Sequence, residues 1–78
     1  MARSKRDDMK RKIAQAVNHI ANAVLDLEDV RVEFKEFHPE HAEYLATVQI
    51  NLAVLREKSI QFAKDAWELE ENALMSFL

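Results

Sequence analysis

The chain of 78 residues contains 49% apolar residues, no cysteine, no glycine and one proline, and it carries a net charge of −3. The lack of cysteine excludes disulfides, cysteine-based metal sites and thiol catalysis. The lack of an apolar run of about 18 residues excludes a membrane-spanning helix. Because the N-terminus also lacks the apolar stretch of a signal peptide, we predict one cytoplasmic, soluble domain over residues 1–78.

The first twelve residues are basic, whereas the remainder of the chain is acidic. Residues 1–12 have a net charge of +4 and residues 13–78 a net charge of −7. The basic side chains of this N-terminal segment are Arg3, Lys5, Arg6, Lys10, Arg11 and Lys12. Such a cluster can neutralise phosphates, so a small nucleic-acid-binding regulator is the alternative function. A solubilising helix end is the favoured interpretation, because the segment has no aromatic residue and the body is acidic.

A first helix is predicted over about residues 5–37. Ser4 and Asp7 have the spacing of an N-terminal capping box, and Asp8 suits the positive end of the helix dipole. Apolar residues then recur at alternating spacings of four and three, which is the repeat of a coiled-coil helix. This first stripe consists of Met9, Ile13, Ala16, Ile20, Ala23, Leu27, Val30, Phe34 and Phe37, widened by Val17 and Val24.

The single proline, Pro39, predicts a turn over about residues 38–43 and a second helix over about 44–76. The same repeat returns at Leu45, Val48, Leu52, Leu55, Ser59, Phe62, Ala66, Leu69 and Ala73. A further stripe runs along another side of this helix through Ala46, Ile50, Ala53, Ile60, Trp67, Leu74 and Leu78. One partner helix cannot cover both sides. We therefore predict a homo-oligomer, with a dimer that forms a four-helix bundle as the favoured state.

The two main stripes are predicted to form one seam of an antiparallel helical hairpin. Pairing Phe37 with Leu45 across the turn places Leu27 beside Leu55, so that large residues meet large residues. The same register places Ala16 beside Ala66. This agreement between separate segments favours an all-α hairpin over one long helix that is kinked at the proline.

An α-β-β-α fold is the competing interpretation. Residues 30–34 and 48–54 alternate apolar and polar side chains and are rich in β-branched residues, as strands often are. The helical repeat nevertheless continues through both stretches, and the connection lacks the glycine that a tight β-hairpin turn favours. Helices are therefore the favoured assignment.

Histidines near the predicted turn are the only metal-ligand candidates. His38 and His41 lie close to three carboxylates, Glu36, Glu40 and Glu43, and imidazole and carboxylate both bind transition metals. The histidines lack the i, i+4 spacing that places two ligands on one helix face, so a polar, solvated turn is the favoured interpretation. With no nucleophile, phosphate-binding loop or paired His and Asp in evident spacing, we expect no enzyme activity and no cofactor.

A protein interface is predicted in the apolar C-terminal half, because aromatic and large aliphatic residues are enriched at interface centres. Its candidate residues are Ile50, Ile60, Phe62, Trp67, Leu74 and Phe77. The favoured function is a non-enzymatic interaction or assembly protein that acts through protein–protein contacts, with itself or with a heterologous partner. A role as a small accessory protein of a phage or mobile element fits this form.

Overall fold

The computed structural model describes residues 5–78 and consists of α-helices. In chain order they are α1 (Lys5–Phe37), α2 (Pro39–Trp67) and α3 (Glu71–Met75). The long helices α1 and α2 pack against each other as an antiparallel hairpin, which confirms the all-α prediction. Residues 30–34 and 48–54 are helical and the described residues contain no strand, so the α-β-β-α alternative is wrong.

A single residue, His38, connects the two long helices. It has φ −142° and ψ 78°, outside the helical region, and Pro39 follows it as the first residue of α2. The His38 carbonyl accepts hydrogen bonds from the N–H groups of His41 (3.0 Å) and Ala42 (3.2 Å). Proline suits the first helical turn, because its φ is already helical and its missing N–H has no partner there anyway. The second helix therefore begins at Pro39, five residues before its predicted start.

The second helix ends at Trp67, whereas the sequence predicted helix to about residue 76. Glu68 has a left-handed backbone conformation, with φ 56°. Its N–H donates to the Lys64 carbonyl at 2.8 Å, which satisfies part of the helix end. Only glycine adopts this conformation freely, and another residue pays roughly 1–2 kcal/mol for it. The break turns the chain back, so that α3 packs onto the open end of the hairpin.

The best-buried core lies at this open end. Ala14 and Val17 of α1, Ala63 of α2 and Leu74 of α3 are almost completely buried and form one cluster. The partly buried residues around it are Ile13, Ile60, Trp67, Leu69, Met75 and Phe77. A second buried residue of α2, Ala42, lies near the connection. Three of the five buried residues in the described range 5–78 are alanines, so small side chains form much of the buried contact between the long helices.

The seam of the hairpin lies one residue later in the chain than predicted. On α1 it follows Ala14, Val17, Val24 and Glu28, and on α2 its half-buried members include Gln49. Half of the predicted seam is instead exposed: Met9, Ala16, Val30, Phe34, Phe37, Leu55, Phe62, Ala66 and Ala73. The predicted layers of large residues are therefore wrong for the hairpin. Alanines at the contact allow a closer approach than a seam of leucine and phenylalanine would.

Candidate protein interface

The parts of the two predicted stripes that lie in α1 and α2 face the same side of the hairpin. Successive residues of an α-helix point about 100° apart. In an antiparallel pair, the residues just before the seam positions of both helices therefore face the same side. We call this side the apolar face. Its members are Met9, Ile13, Ala16, Ile20, Ala23, Leu27, Val30, Phe34 and Phe37 of α1, with Leu45, Val48, Leu52, Leu55, Ser59, Phe62 and Ala66 of α2.

Contacts at the open end show residues of both helices on this face. Met9 and Ile13 of α1 line one hollow of about 220 Å³ together with Phe62 and Trp67 of α2. The rings of Phe62 and Trp67 meet edge to face, with centroids 5.6 Å apart. Phe62 is nevertheless 51% exposed and Leu55 52% exposed. The apolar face is thus built from both helices, and half of its members are exposed.

The third helix packs on the opposite side of the seam. Arg11, one residue after a seam position of α1, donates from Nε to the carbonyl of Phe77 at 3.1 Å. Lys64, one residue after the seam residue Ala63, lies 3.6 Å from a carboxylate oxygen of Glu70. These contacts hold the C-terminal segment on the side away from Phe62 and Leu55. The apolar face therefore stays open along most of its length.

The six predicted interface residues do not form one exposed surface. Leu74 is fully buried in the chain's own core. Three others, Ile60, Trp67 and Phe77, pack against that core. Ile50 and Phe62 are exposed, but Ile50 directly follows the seam residue Gln49 and so lies opposite the apolar face. The sequence did not show that the C-terminal residues fold back onto the hairpin, because no glycine marks the helix end at Glu68.

A polar layer crosses the middle of the seam. Gln49 donates from Nε2 to the carbonyl of Val24 (3.0 Å) and to Oε2 of Glu28 (2.9 Å). Arg31 donates from Nε to the same Oε2 at 3.0 Å. The hydrogen bonds from Arg31 and then Gln49 lower the pKa of Glu28 to about 2. In return, the bond to Glu28 raises the pKa of Arg31. Sequence reasoning missed this layer, although the i, i+3 spacing of Glu28 and Arg31 could have indicated the ion pair.

Among the N-terminal basic residues that the structure describes, Lys10 and Arg11 contact other parts of the chain. Lys10 Nζ lies 4.0 Å from Oδ1 of Asp7 and 5.5 Å from the centre of the Phe77 ring. Arg11 pairs with Asp8 at 3.4 Å, in addition to its hydrogen bond to the carbonyl of Phe77. These contacts attach the start of α1 to the C-terminal segment. Lys10 and Arg11 therefore have a structural explanation that requires no phosphate.

The other basic residues that the structure describes are not gathered with Lys10 and Arg11 on one side of α1. Lys5, Arg6 and Lys12 are exposed on the first turns of α1. Arg3 lies outside the described residues. The helix distributes the described cations around its circumference, because neighbouring residues point about 100° apart. Of the predicted nucleic-acid contacts that the structure describes, Lys5, Arg6 and Lys12 are thus exposed, whereas Lys10 and Arg11 contact Phe77 in the C-terminal segment.

The histidines at the connection do lie together. Ligand atoms of His38, Glu40 and His41 are all within 4.8 Å of one another, and the three side chains are exposed. The rings of His38 and His41 have centroids 5.2 Å apart, and each lies 6.1 Å from the ring of Phe34. The sequence names this pair, but the i, i+4 rule for two ligands on one helix counts against it. That rule does not apply here, because His38 is not helical and its side chain can therefore approach His41.

No family model matches the chain, and comparisons with curated proteins and with solved structures find no match. Within residues 5–78, no helix combines the length and the apolar character needed to cross a bilayer. With no relative to compare, the function is inferred from the structure, and its most extensive surface feature is the apolar face.

Proposed function

We propose that this protein is a non-enzymatic assembly protein that acts through protein–protein contacts of its apolar face. Its first partner is a second copy of the chain, and two hairpins joined face to face form a four-helix bundle. The observation that supports this proposal is the large set of apolar side chains on the side of the hairpin that α3 does not cover.

The dimensions of the hairpin support the idea that a second layer of helices comes from another chain. The chain measures 55 × 24 × 16 Å along its principal axes. Its accessible surface is 5900 Å², whereas a compact monomer of 9.1 kDa exposes about 4,900 Å². The excess of roughly 1,000 Å² is close to the 800 Å² or so that each partner contributes to a typical interface. Domains usually bury a core between two layers, and a second hairpin supplies the second one.

The repeat of the apolar face fits a second copy better than an unrelated surface. Its residues recur at the four-and-three spacing that packs helices side by side in bundles. Small members such as Ala16 and Ala23 alternate with large members such as Leu27 and Phe34. Two identical faces related by a twofold axis can place small residues against large ones, which gives close packing without voids.

Sedimentation equilibrium of matched variants tests this proposal. We expect the unmodified chain to be a dimer at micromolar concentration. Leu55→Glu puts a charge in the middle of the apolar face and should weaken the dimer by more than about tenfold, because burying an unpaired charge is costly. Ile50→Glu is the control, since Ile50 is 64% exposed on the opposite side of the same helix. It should leave the dimer intact.

Two results would contradict self-association through this face. A well-folded monomer of the unmodified chain would mean that the face binds a different protein. Equal weakening by Leu55→Glu and Ile50→Glu would place the interface elsewhere. Circular dichroism of both variants checks folding, which exposed positions should preserve. As a second readout, a dimer predicts that the melting temperature rises with protein concentration.

A further inference from the structure

We propose that the connection between the long helices is a binding site for a divalent transition-metal ion, with Zn²⁺ as the probe ion. The protein ligands are His38, Glu40 and His41. Two imidazoles and one carboxylate are a donor set that Zn²⁺ accepts, and they leave a further position for water or for another ligand. This inference does not depend on the proposed dimer.

The backbone brings these ligands together without long loops. His38 lies just outside the first turn of α2, while Glu40 and His41 lie within that turn. Hydrogen bonds from the N–H groups of His41 and Ala42 to the His38 carbonyl close the turn. The proline ring between His38 and Glu40 restricts the backbone further. The ligands are therefore carried by a short and rigid segment, which lowers the entropy lost on binding.

The distances are suitable for metal binding after small side-chain rotations. The ligand atoms lie within 4.8 Å of one another. Bond lengths of about 2.0–2.2 Å in a tetrahedral site require ligand separations of roughly 3.4 Å. All three side chains are exposed, which leaves room for this contraction on their solvent side. Phe34 contacts both imidazole rings and limits their freedom on one side.

The local charge also suits a cation. The first turn of α2 presents the positive end of its helix dipole, which by itself would repel an ion. The negative carboxylate of Glu40, which is itself a proposed ligand, opposes that field. Exposed Glu36 and Glu43 lie within a few residues of the ligands in the chain. Residues 33–43 carry four glutamates and one lysine, Lys35, so the connection has an excess of negative charge before an ion binds.

Isothermal titration calorimetry of the untagged chain with zinc chloride tests this site. We expect one ion per chain. His38→Ala and His41→Ala should each lower the affinity by more than about tenfold, since even the loss of a supporting group has that effect. His19→Ala is the matched control, because His19 is an exposed histidine in the middle of α1. It should bind zinc like the unmodified chain.

A second readout uses the imidazole resonances of the unmodified chain. Zinc should shift the ring signals of His38 and His41 in nuclear magnetic resonance spectra and leave those of His19 in place. Absence of heat and of ring shifts at about 1 mM zinc, a concentration that detects even weak binding, would overturn the proposal. So would equal loss of affinity in the His19→Ala control, or a stoichiometry of one ion per two chains.

Discussion

Gln49 of α2 joins Glu28 of α1 across the seam, with 2.9 Å between Nε2 and Oε2. The same amide group donates to the carbonyl of Val24. A polar contact in the middle of an alanine-rich seam can fix the register of two helices, since other registers leave the amide and carboxylate without these partners. This contact favours the observed seam over the one with the largest apolar residues.

Replacement of Gln49 should destabilise the hairpin. Gln49→Ala removes the hydrogen bond to the Val24 carbonyl, and a typical hydrogen bond contributes about 0.5–1.5 kcal/mol. Gln61→Ala is the control, because Gln61 is exposed on the same helix and donates to Asp65 within that helix. Urea unfolding should show a lower midpoint for Gln49→Ala and little change for the control. Equal stability of the two variants would contradict a role for Gln49 in the seam.

The ion pair of Glu28 should make stability depend on acid pH. The pKa of Glu28 is about 2 in the folded chain, compared with an ordinary value of 4.5. The unfolded chain therefore takes up this proton more readily, and protonation favours unfolding. The stabilising contribution is present above pH 4.5 and is lost as the pH falls from 4.5 towards 2.

This dependence can be measured as the urea midpoint at about pH 5 and about pH 3. Glu28→Gln should lower the midpoint at the higher pH and should reduce the difference between the two conditions. Glu33→Gln, which changes an exposed carboxylate of the same helix, is the control. A carboxyl resonance of Glu28 that titrates near 4.5 in the folded protein would contradict the expected shift.

Truncation of Leu74 should release α3 from the hairpin. Leu74 is fully buried, so Leu74→Ala should cost about 2–5 kcal/mol. A helix of five residues cannot persist without packing, and we expect faster amide hydrogen exchange in residues 71–75. Leu78→Ala provides the comparison, because Leu78 is 58% exposed in the same segment. Protected amides in the Leu74 variant would show that other contacts hold α3 in place.

Enlargement of a seam alanine should strain the contact between the long helices. Ala63 has no exposed surface, so Ala63→Leu should cost about 1–3 kcal/mol through overpacking. The same change at exposed Ala53 adds the side chain towards solvent and should have little effect. Thermal unfolding of both variants measures the difference. A more stable Ala63→Leu variant would indicate a void at this layer.

The basic N-terminus should not produce measurable binding to duplex DNA at about 0.15 M salt. Lys10 and Arg11 contact Asp7, Asp8 and the C-terminal segment, and the remainder of the chain is acidic. Fluorescence anisotropy with a labelled duplex measures this. Tight binding that is lost in a Lys5→Ala/Arg6→Ala variant, with a flatter salt dependence, would favour the nucleic-acid-binding alternative over assembly.

The sequence shows which apolar residues form the candidate interface, but it does not show that they are exposed on one side of the hairpin. The four-and-three repeat named Leu55 and Phe62 as members of a buried stripe. The structure leaves both more than half exposed. A repeat of this kind indicates that a side of a helix packs against other helices, without showing whether they belong to the same hairpin or to another copy. The metal ligands were equally visible in the sequence, but their approach depends on the non-helical backbone of His38.

Two long helices reversing at Pro39 follow from local chemistry, because the apolar period requires helical geometry and proline cannot continue a preceding helix. Packing between distant residues decided the rest. The seam through Ala14 and Ala63 lies one residue from the predicted stripe, since small side chains and the bonds of Gln49 favour that closer register. The turn at Glu68 likewise arises from tertiary contacts: burial of Leu74 against the hairpin offsets a backbone conformation that no local residue favours.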